Sequence, residues 1–302
     1  MNVIEVRGLK KRYKEVFVVK GVTFDVKESE IFAFLGKNGA GKTTTVNMLT
    51  GICIPTEGEF FVNGISNKYM EEIKKHIGVM PDVSNYYLHM NAVEHLKFFA
   101  QLKRIKINKE KIYHLLEQVG LEKHEKKKVG HYSFGMKKKL GVAQALIGEP
   151  KVIFLDEPTS GLDPESALSI QSLIKELSSK GLTIFMTSHN LHEVERIYNR
   201  LAIMENGLIS KIGTIEELKK RGGSYVEIEI KIKGDDYYAV QCLKKAMQND
   251  IVDVYTDGGY IHCSLYHEDT IPSCVKVLCE NGVSIYQLSV KTRSIEDVFF
   301  SQ

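Results

Sequence analysis

Residues 32–44 read Phe-Ala-Phe-Leu-Gly-Lys-Asn-Gly-Ala-Gly-Lys-Thr-Thr, and no other stretch limits so sharply what this chain can fold into. An apolar run, Ile31 to Leu35, ends in a glycine-rich turn, and the turn opens into a segment that reads as a helix through Leu49. Gly36, four further residues and then Gly41-Lys42-Thr43 fit the spacing G-x-x-x-x-G-K-[ST] of a phosphate-binding loop. Backbone N–H groups converge on phosphate oxygens where glycines permit positive φ and put no Cβ in the way. The helix start adds unpaired N–H groups and the positive end of its dipole. Lys42 supplies a cation for the β- and γ-phosphates, and the Thr43 hydroxyl a ligand for Mg2+. The expected nucleoside triphosphate site is therefore Gly36, Lys37, Asn38, Gly39, Ala40, Gly41, Lys42, Thr43 and Thr44.

Further along, Val152 to Leu155 is wholly apolar and ends in Asp156-Glu157. Such a run suits a central parallel strand covered on both faces. A carboxylate at its end can complete the Mg2+ shell beside Thr43, and the next one can polarise an attacking water. Before it, Tyr132-Ser133-Phe134-Gly135-Met136 precedes a helix expected over Lys137 to Ile147, which makes a second anion site. Between the two parts of the sheet the period becomes helical: Asn91 and Glu94 match a capping box, and apolar residues recur to Gly120. Residues 90–150 are thus expected to form a helical insert. Asp163-Pro164 opens a helix through Leu177, and the strand Leu182 to Met186 follows, ending near His189. Val3 to Val6 and Val18 to Val26 read as strands with Tyr13 in the turn between them. Strands alternating with helices through a phosphate loop predict a doubly wound α/β core.

These residues together resemble the ATP-binding cassette family, over roughly residues 1–220. The resemblance implies a P-loop nucleoside triphosphatase fold, with a RecA-like sheet core, an N-terminal antiparallel β part and a helical subdomain at 90–150. It implies ATP and Mg2+ as ligands, and ATP hydrolysis as the activity. Tyr13 resembles the aromatic residue that stacks on adenine, Gly36 to Thr43 the Walker A loop, and Ser133 to Met136 the signature loop. Lys151 to Glu157 resembles Walker B with the catalytic glutamate, Ser160 to Asp163 the D-loop, and His189 the switch histidine. By that resemblance Glu157 and His189 are catalytic, Tyr13, Ser133, Gly135 and Asp163 contact nucleotide, and Thr43, Asp82 and Asp156 serve the metal. Two departures stand out: Phe134 and Met136 replace a glycine and the glutamine of L-S-G-G-Q, and Asp82 stands at the Q-loop glutamine. The variant loop followed by Lys137 resembles cassettes of drug, antimicrobial-peptide or lipid exporters.

The 302 residues leave room for a second domain. Gly222-Gly223 follows the charged helix end Lys219-Lys220-Arg221 and marks a boundary, giving a cassette at 1–221 and an accessory α+β domain at 222–302. In the latter, Val226, Ile228, Ile230 and Ile232 alternate with charged residues, and the order β-α-β-β-α-β predicts a small ferredoxin-like fold. A net charge of +3 is too small to argue for a nucleic-acid partner, and none is expected; Lys126 to Lys128 and Lys137 to Lys139 read as solvated faces. Five cysteines without a C-x-x-C pair fit a reducing compartment. No run of about 18 apolar residues occurs, so the expected motor subunit needs a separate transmembrane permease, and its place is the inner face of the cell membrane. A second cassette subunit, as in a homodimer, is the other expected partner. The competing function is a soluble cassette ATPase acting on nucleic acid or ribosomes; a kinase or GTPase is disfavoured by the loop at Ser133.

Overall fold

A computed structural model of the chain describes residues 1–80, 86–189, 197–221 and 226–291. The chain forms two compact units, Met1–Ile215 and Glu216–Gln302. The division falls ahead of the glycine pair expected to mark it, and that pair lies outside the described residues.

The first unit starts with β1 (Asn2–Tyr13) and β2 (Val16–Lys27), an antiparallel pair. Tyr13 is not in the turn: it is the last residue of β1, opposite Val16, and the turn is Lys14-Glu15 with Lys14 at φ 52°. β3 (Ile31–Leu35) leads through the glycine loop into α1 (Lys42–Leu49). β4 (Glu57–Val62) runs antiparallel to β1 and is followed by β5 (Ile65–Ser66), so the first sheet has the order β2-β1-β4-β5. α2 (Met70–His76) then enters β6 (Ile77–Met80). Three helices fill the stretch read as a helical insert: α3 (Ala92–Leu102), α4 (Lys109–Gln118) and α5 (Phe134–Ala145). α3 starts with the capping box the spacing predicts. Asn91 Oδ1 accepts from the Glu94 N–H at 2.9 Å, and Glu94 Oε2 accepts from the Asn91 N–H at 2.9 Å.

The second sheet is completed by β7 (Val152–Leu155), then α6 (Pro164–Ser179), β8 (Thr183–Ser188), β9 (Arg200–Glu205) and β10 (Leu208–Gly213). Its order is β10-β9-β3-β8-β7-β6, parallel except for β10. Every residue of β3, β7 and β8 is buried, as continuous apolar runs in a parallel sheet require. The two sheets are joined by an aromatic core. Phe24 of β2 lies 5.6 Å from Phe32 and 5.9 Å from Phe185, ring centre to ring centre, and Phe154 lies 5.4 Å from Phe185. Each such buried ring contributes about 1.5–3 kcal/mol by leaving water. This core holds β3 and β8 rigidly, and the ends of those strands carry the site.

α7 (Ile215–Arg221) spans the division. In the second unit the order is β11 (Val226–Lys233), α8 (Asp236–Ala246), β12 (Ile251–Asp257), β13 (Tyr260–Leu265), α9 (Ile271–Glu280) and β14 (Ser284–Lys291). The strands form one antiparallel sheet in the order β12-β13-β11-β14. Ile228 and Ile230 face a core with Leu243, Ile261 and Leu278, while Lys231 and Lys233 remain exposed, which is the alternation read from the sequence. All five cysteines are free thiols.

Candidate functional site

The glycine loop is shaped by its closeness to neighbouring backbone. A Cβ on Gly36 would stand 2.4 Å from the carbonyl oxygen of Met204, at the end of β9. Gly41 takes φ 107°, and a Cβ there would stand 3.0 Å from the Val18 carbonyl. Neither position accepts another residue without displacing a strand. Lys37, Asn38 and Gly39 form the exposed crest of the loop, and α1 opens directly after it, so the first-turn N–H groups of α1 have no partner within the helix.

Lys42 is buried, and its Nζ donates to the Gly36 carbonyl at 2.6 Å and the Lys37 carbonyl at 3.2 Å. The ammonium is therefore held within the loop, at the place where phosphate oxygens are to be met. Burial holds its pKa below the ordinary lysine value, while the carboxylates of Glu157 and Asp156 pull it the other way. That mutual field brings the two halves of the predicted site together across more than a hundred residues of sequence. In the sheet they are separated by β8 alone, which lies between β3 and β7.

β8 and the residue just past its end contribute two side chains to the gap. The Thr187 hydroxyl donates to Asp156 Oδ1 and accepts from the Glu157 N–H at 3.0 Å. His189 Nδ1 lies 2.7 Å from Glu157 Oε2; with Glu157 ionised, the ring N–H donates and the carboxylate accepts. Glu157 and His189, read as the catalytic pair, are thus in direct contact. Thr187 escaped the sequence reading, since a threonine in a strand is ordinary and its position before His189 was the one available signal.

The remaining predicted residues are placed less centrally. Ser133 caps α5, its Oγ accepting from the Met136 N–H at 3.2 Å. Asp163 caps α6, its Oδ1 accepting from the Ser166 N–H at 2.9 Å, and the hydrogen bonds from Ser166 hold its carboxyl below the usual range. Tyr13 is half exposed, with the Lys11 ammonium 5.1 Å from its ring centre. Asp82 lies outside the described residues. α5 begins at Phe134, earlier than expected, because Ser133 supplies the cap. The run Lys137 to Lys139 is not a plain solvated face: Lys138 is buried, and its Nζ donates to the Glu157 carbonyl at 2.8 Å.

Beside these groups opens a cleft of about 1840 Å³. Thr43, Asp156 and Glu157 line part of it and Phe99, Leu102 and Arg104 another part; Ser133 and Gly135 are not in its lining. Among the described residues there is no group of three or more His, Cys, Asp or Glu side chains placed to hold a metal. The Thr43 hydroxyl and the Asp156 carboxylate offer hard oxygens instead, a donor set that suits Mg2+ shared with phosphate and water.

A phosphate loop and a strand-end pair of carboxylates, set one strand apart in a parallel sheet, define a P-loop nucleoside triphosphatase. The family described as ABC transporter matches residues 19–160. The bacitracin transport ATP-binding protein BcrA of Bacillus licheniformis is 35% identical over 303 residues, covering 99% of this chain and 96% of that one. The linearmycin resistance ATP-binding protein LnrL of Bacillus subtilis is 30% identical over 302 residues, covering 99% and 97%. The dimeric structure of a bacterial ABC transporter cassette superposes with a TM-score of 0.64 at 25% identity, covering 70% of this chain and 98% of that one. The chain belongs to the ATP-binding cassette family, as an ATP-binding and ATP-hydrolysing subunit of the ABC transporter kind. No helix among the described residues is long and apolar enough to cross a membrane.

Proposed function

We propose that this chain is the motor subunit of an exporter, working at the inner face of the membrane through a separate permease. The similarity to a bacitracin transport subunit and a linearmycin resistance subunit along nearly the whole chain supports export. The observation that carries the coupling is the cleft. Its apolar wall at Phe99 and Leu102 offers a seat for a partner segment, and the same cleft reaches Thr43, Asp156 and Glu157. A partner seated there is in contact with the space where ATP is cleaved.

Within the site, Lys42 and the loop N–H groups hold the phosphates, and Tyr13 meets the adenine. Thr43 and Asp156 would hold Mg2+, with Asp82 as a further oxygen, and the ion would supply positive charge to offset that of the triphosphate. Glu157 takes the proton of the attacking water, and His189 keeps its carboxylate oriented. Ser133 and Gly135 serve a nucleotide held by Lys42 of a second subunit, since neither lines the cleft of its own. The second unit is an accessory domain of ferredoxin-like type, supported by its β-α-β-β-α-β order, and takes part in dimer contact or regulation.

Affinity purification from detergent-solubilised cells tests the coupling. A polytopic membrane protein is expected with the wild-type chain and lost with Phe99→Asp and Leu102→Asp, both of which still bind ATP. Recovery of ribosomes or nucleic acid in its place would support the competing function. Dimerisation is tested by dilution: the rate per subunit should fall as protein concentration drops, and a constant rate per subunit down to the lowest concentration would rule it out.

A further inference from the structure

Glu157 has φ +50°, in the left-handed region that few residues other than glycine adopt. Its backbone is held from both sides. The N–H donates to Thr187 Oγ1 of β8 at 3.0 Å, and the carbonyl accepts from Lys138 Nζ of α5 at 2.8 Å. Lys138 is only 6% exposed, so its charge is taken out of water and must be met inside. The Glu157 carbonyl meets it on one side, and the Phe134 ring lies with its centre 5.6 Å from the ammonium. The same ring covers Gly161, where an added Cβ would stand 3.2 Å from it. Phe134 and Lys138, one turn apart on α5, thus form a brace from the loop beginning at Ser133 to the turn that carries Glu157.

We infer that Lys138 is a positioning residue for Glu157: its ammonium pins the Glu157 carbonyl, fixes the left-handed turn and so aims the carboxylate. This rests on the reading of Glu157 as the base and of the Ser133 loop as serving the opposite nucleotide. In the dimer each subunit uses Glu157 on its own ATP and Ser133 on the other. Lys138 bonds the backbone of the first to the helix that starts at the second. A shift of α5 on engaging the opposite nucleotide is passed to the base through one hydrogen bond. Phe134, the residue that departs from the family's glycine, lies beside that bond with its ring centre 5.6 Å from the ammonium.

The test is Lys138→Met, which keeps the length of the side chain and removes its charge and donor. The full-length protein should lose roughly 10- to 100-fold in kcat, the scale of a misaimed reacting group, with KM for ATP and thermal midpoint nearly unchanged. Lys138→Arg should restore most of the rate. In a Glu157→Gln background, adding Lys138→Met should leave the residual rate within about 2-fold, because no base remains to be aimed. Wild-type turnover in Lys138→Met, or the same fold-loss in both backgrounds, overturns the inference. If Lys138→Met does not fold, Phe134→Ala decides: the residue is 45% exposed, and removal of its ring should lower kcat at unchanged KM, with unchanged kcat counting against the brace. A Glu157→Gln enzyme with unchanged turnover would defeat the base assignment itself, an outcome separate from any result at Lys138.

Discussion

Glu157→Gln binds ATP as the wild type does and turns it over about 10²–10⁴-fold more slowly, the worth of a general base. The amide keeps the shape of the side chain but takes no proton from water. Its backbone anchors to Thr187 and Lys138 involve the main chain and survive the change. The contact with His189 survives as well, because the amide oxygen still accepts from Nδ1–H. Binding is spared since Lys42 and the glycine loop are untouched. The consequence is a subunit that stays dimeric on ATP. Single-turnover kinetics beside size-exclusion chromatography in ATP measures both effects. Full turnover, or loss of ATP binding, would remove Glu157 from the role of base.

Lys42→Ala fails at the earlier step. Its Nζ is buried among the loop carbonyls, within the loop that is to hold the phosphates. Charge-assisted hydrogen bonds contribute about 1.5–3 kcal/mol each, so ATP affinity should fall roughly 10- to 100-fold or more. The Gly36 and Lys37 carbonyls also lose their donor, and Asp156 and Glu157 lose the favourable field of the Lys42 ammonium beside the triphosphate. Calorimetric titration reads the affinity directly. A dissociation constant within about 3-fold of wild type would show that the loop backbone alone holds the nucleotide.

What the sequence made legible follows from how local the chemistry is. Gly36 to Thr43 must be contiguous because one loop has to surround one phosphate, so the spacing is the signal. Val152 to Leu155 is apolar because it is covered on both faces, and its carboxylates come where the strand meets solvent. Asn91 and Glu94 cap each other across a single turn. The end of β1 was hidden because the charged run Lys10-Lys11-Arg12 shows no strand alternation. They are held in the sheet by pairing with β2, and Arg12 lies 5.6 Å from the Phe17 ring centre. β9 and β10 went unread because what defines β9 is its pairing with β3, some 170 residues away in sequence. Lys138 was illegible among three lysines: helical period turns one of them inward, and composition does not say which. The division between the compact units falls inside a helix at Ile215-Glu216, where the sequence carries no local signal, whereas Gly222-Gly223 is a conspicuous one.

The arrangement of the central sheet also bears on how this protein is made. β3 is complete by Leu35, yet both strands that pair with it come late: β8 ends at Ser188 and β9 at Glu205. At ordinary translation speeds roughly 10–30 s separate the emergence of β3 from that of either partner. Throughout that interval a wholly apolar strand, bearing the phosphate loop at its end, has two open edges. Such edges invite pairing with other chains. Exposed strand edges of this kind are where nascent chains misassemble, and the loop after β3 has both its neighbouring strands only once synthesis has passed Glu205. The strand that defines the site is the first of its sheet to be made, and it gains its second partner only when β9 is complete at Glu205.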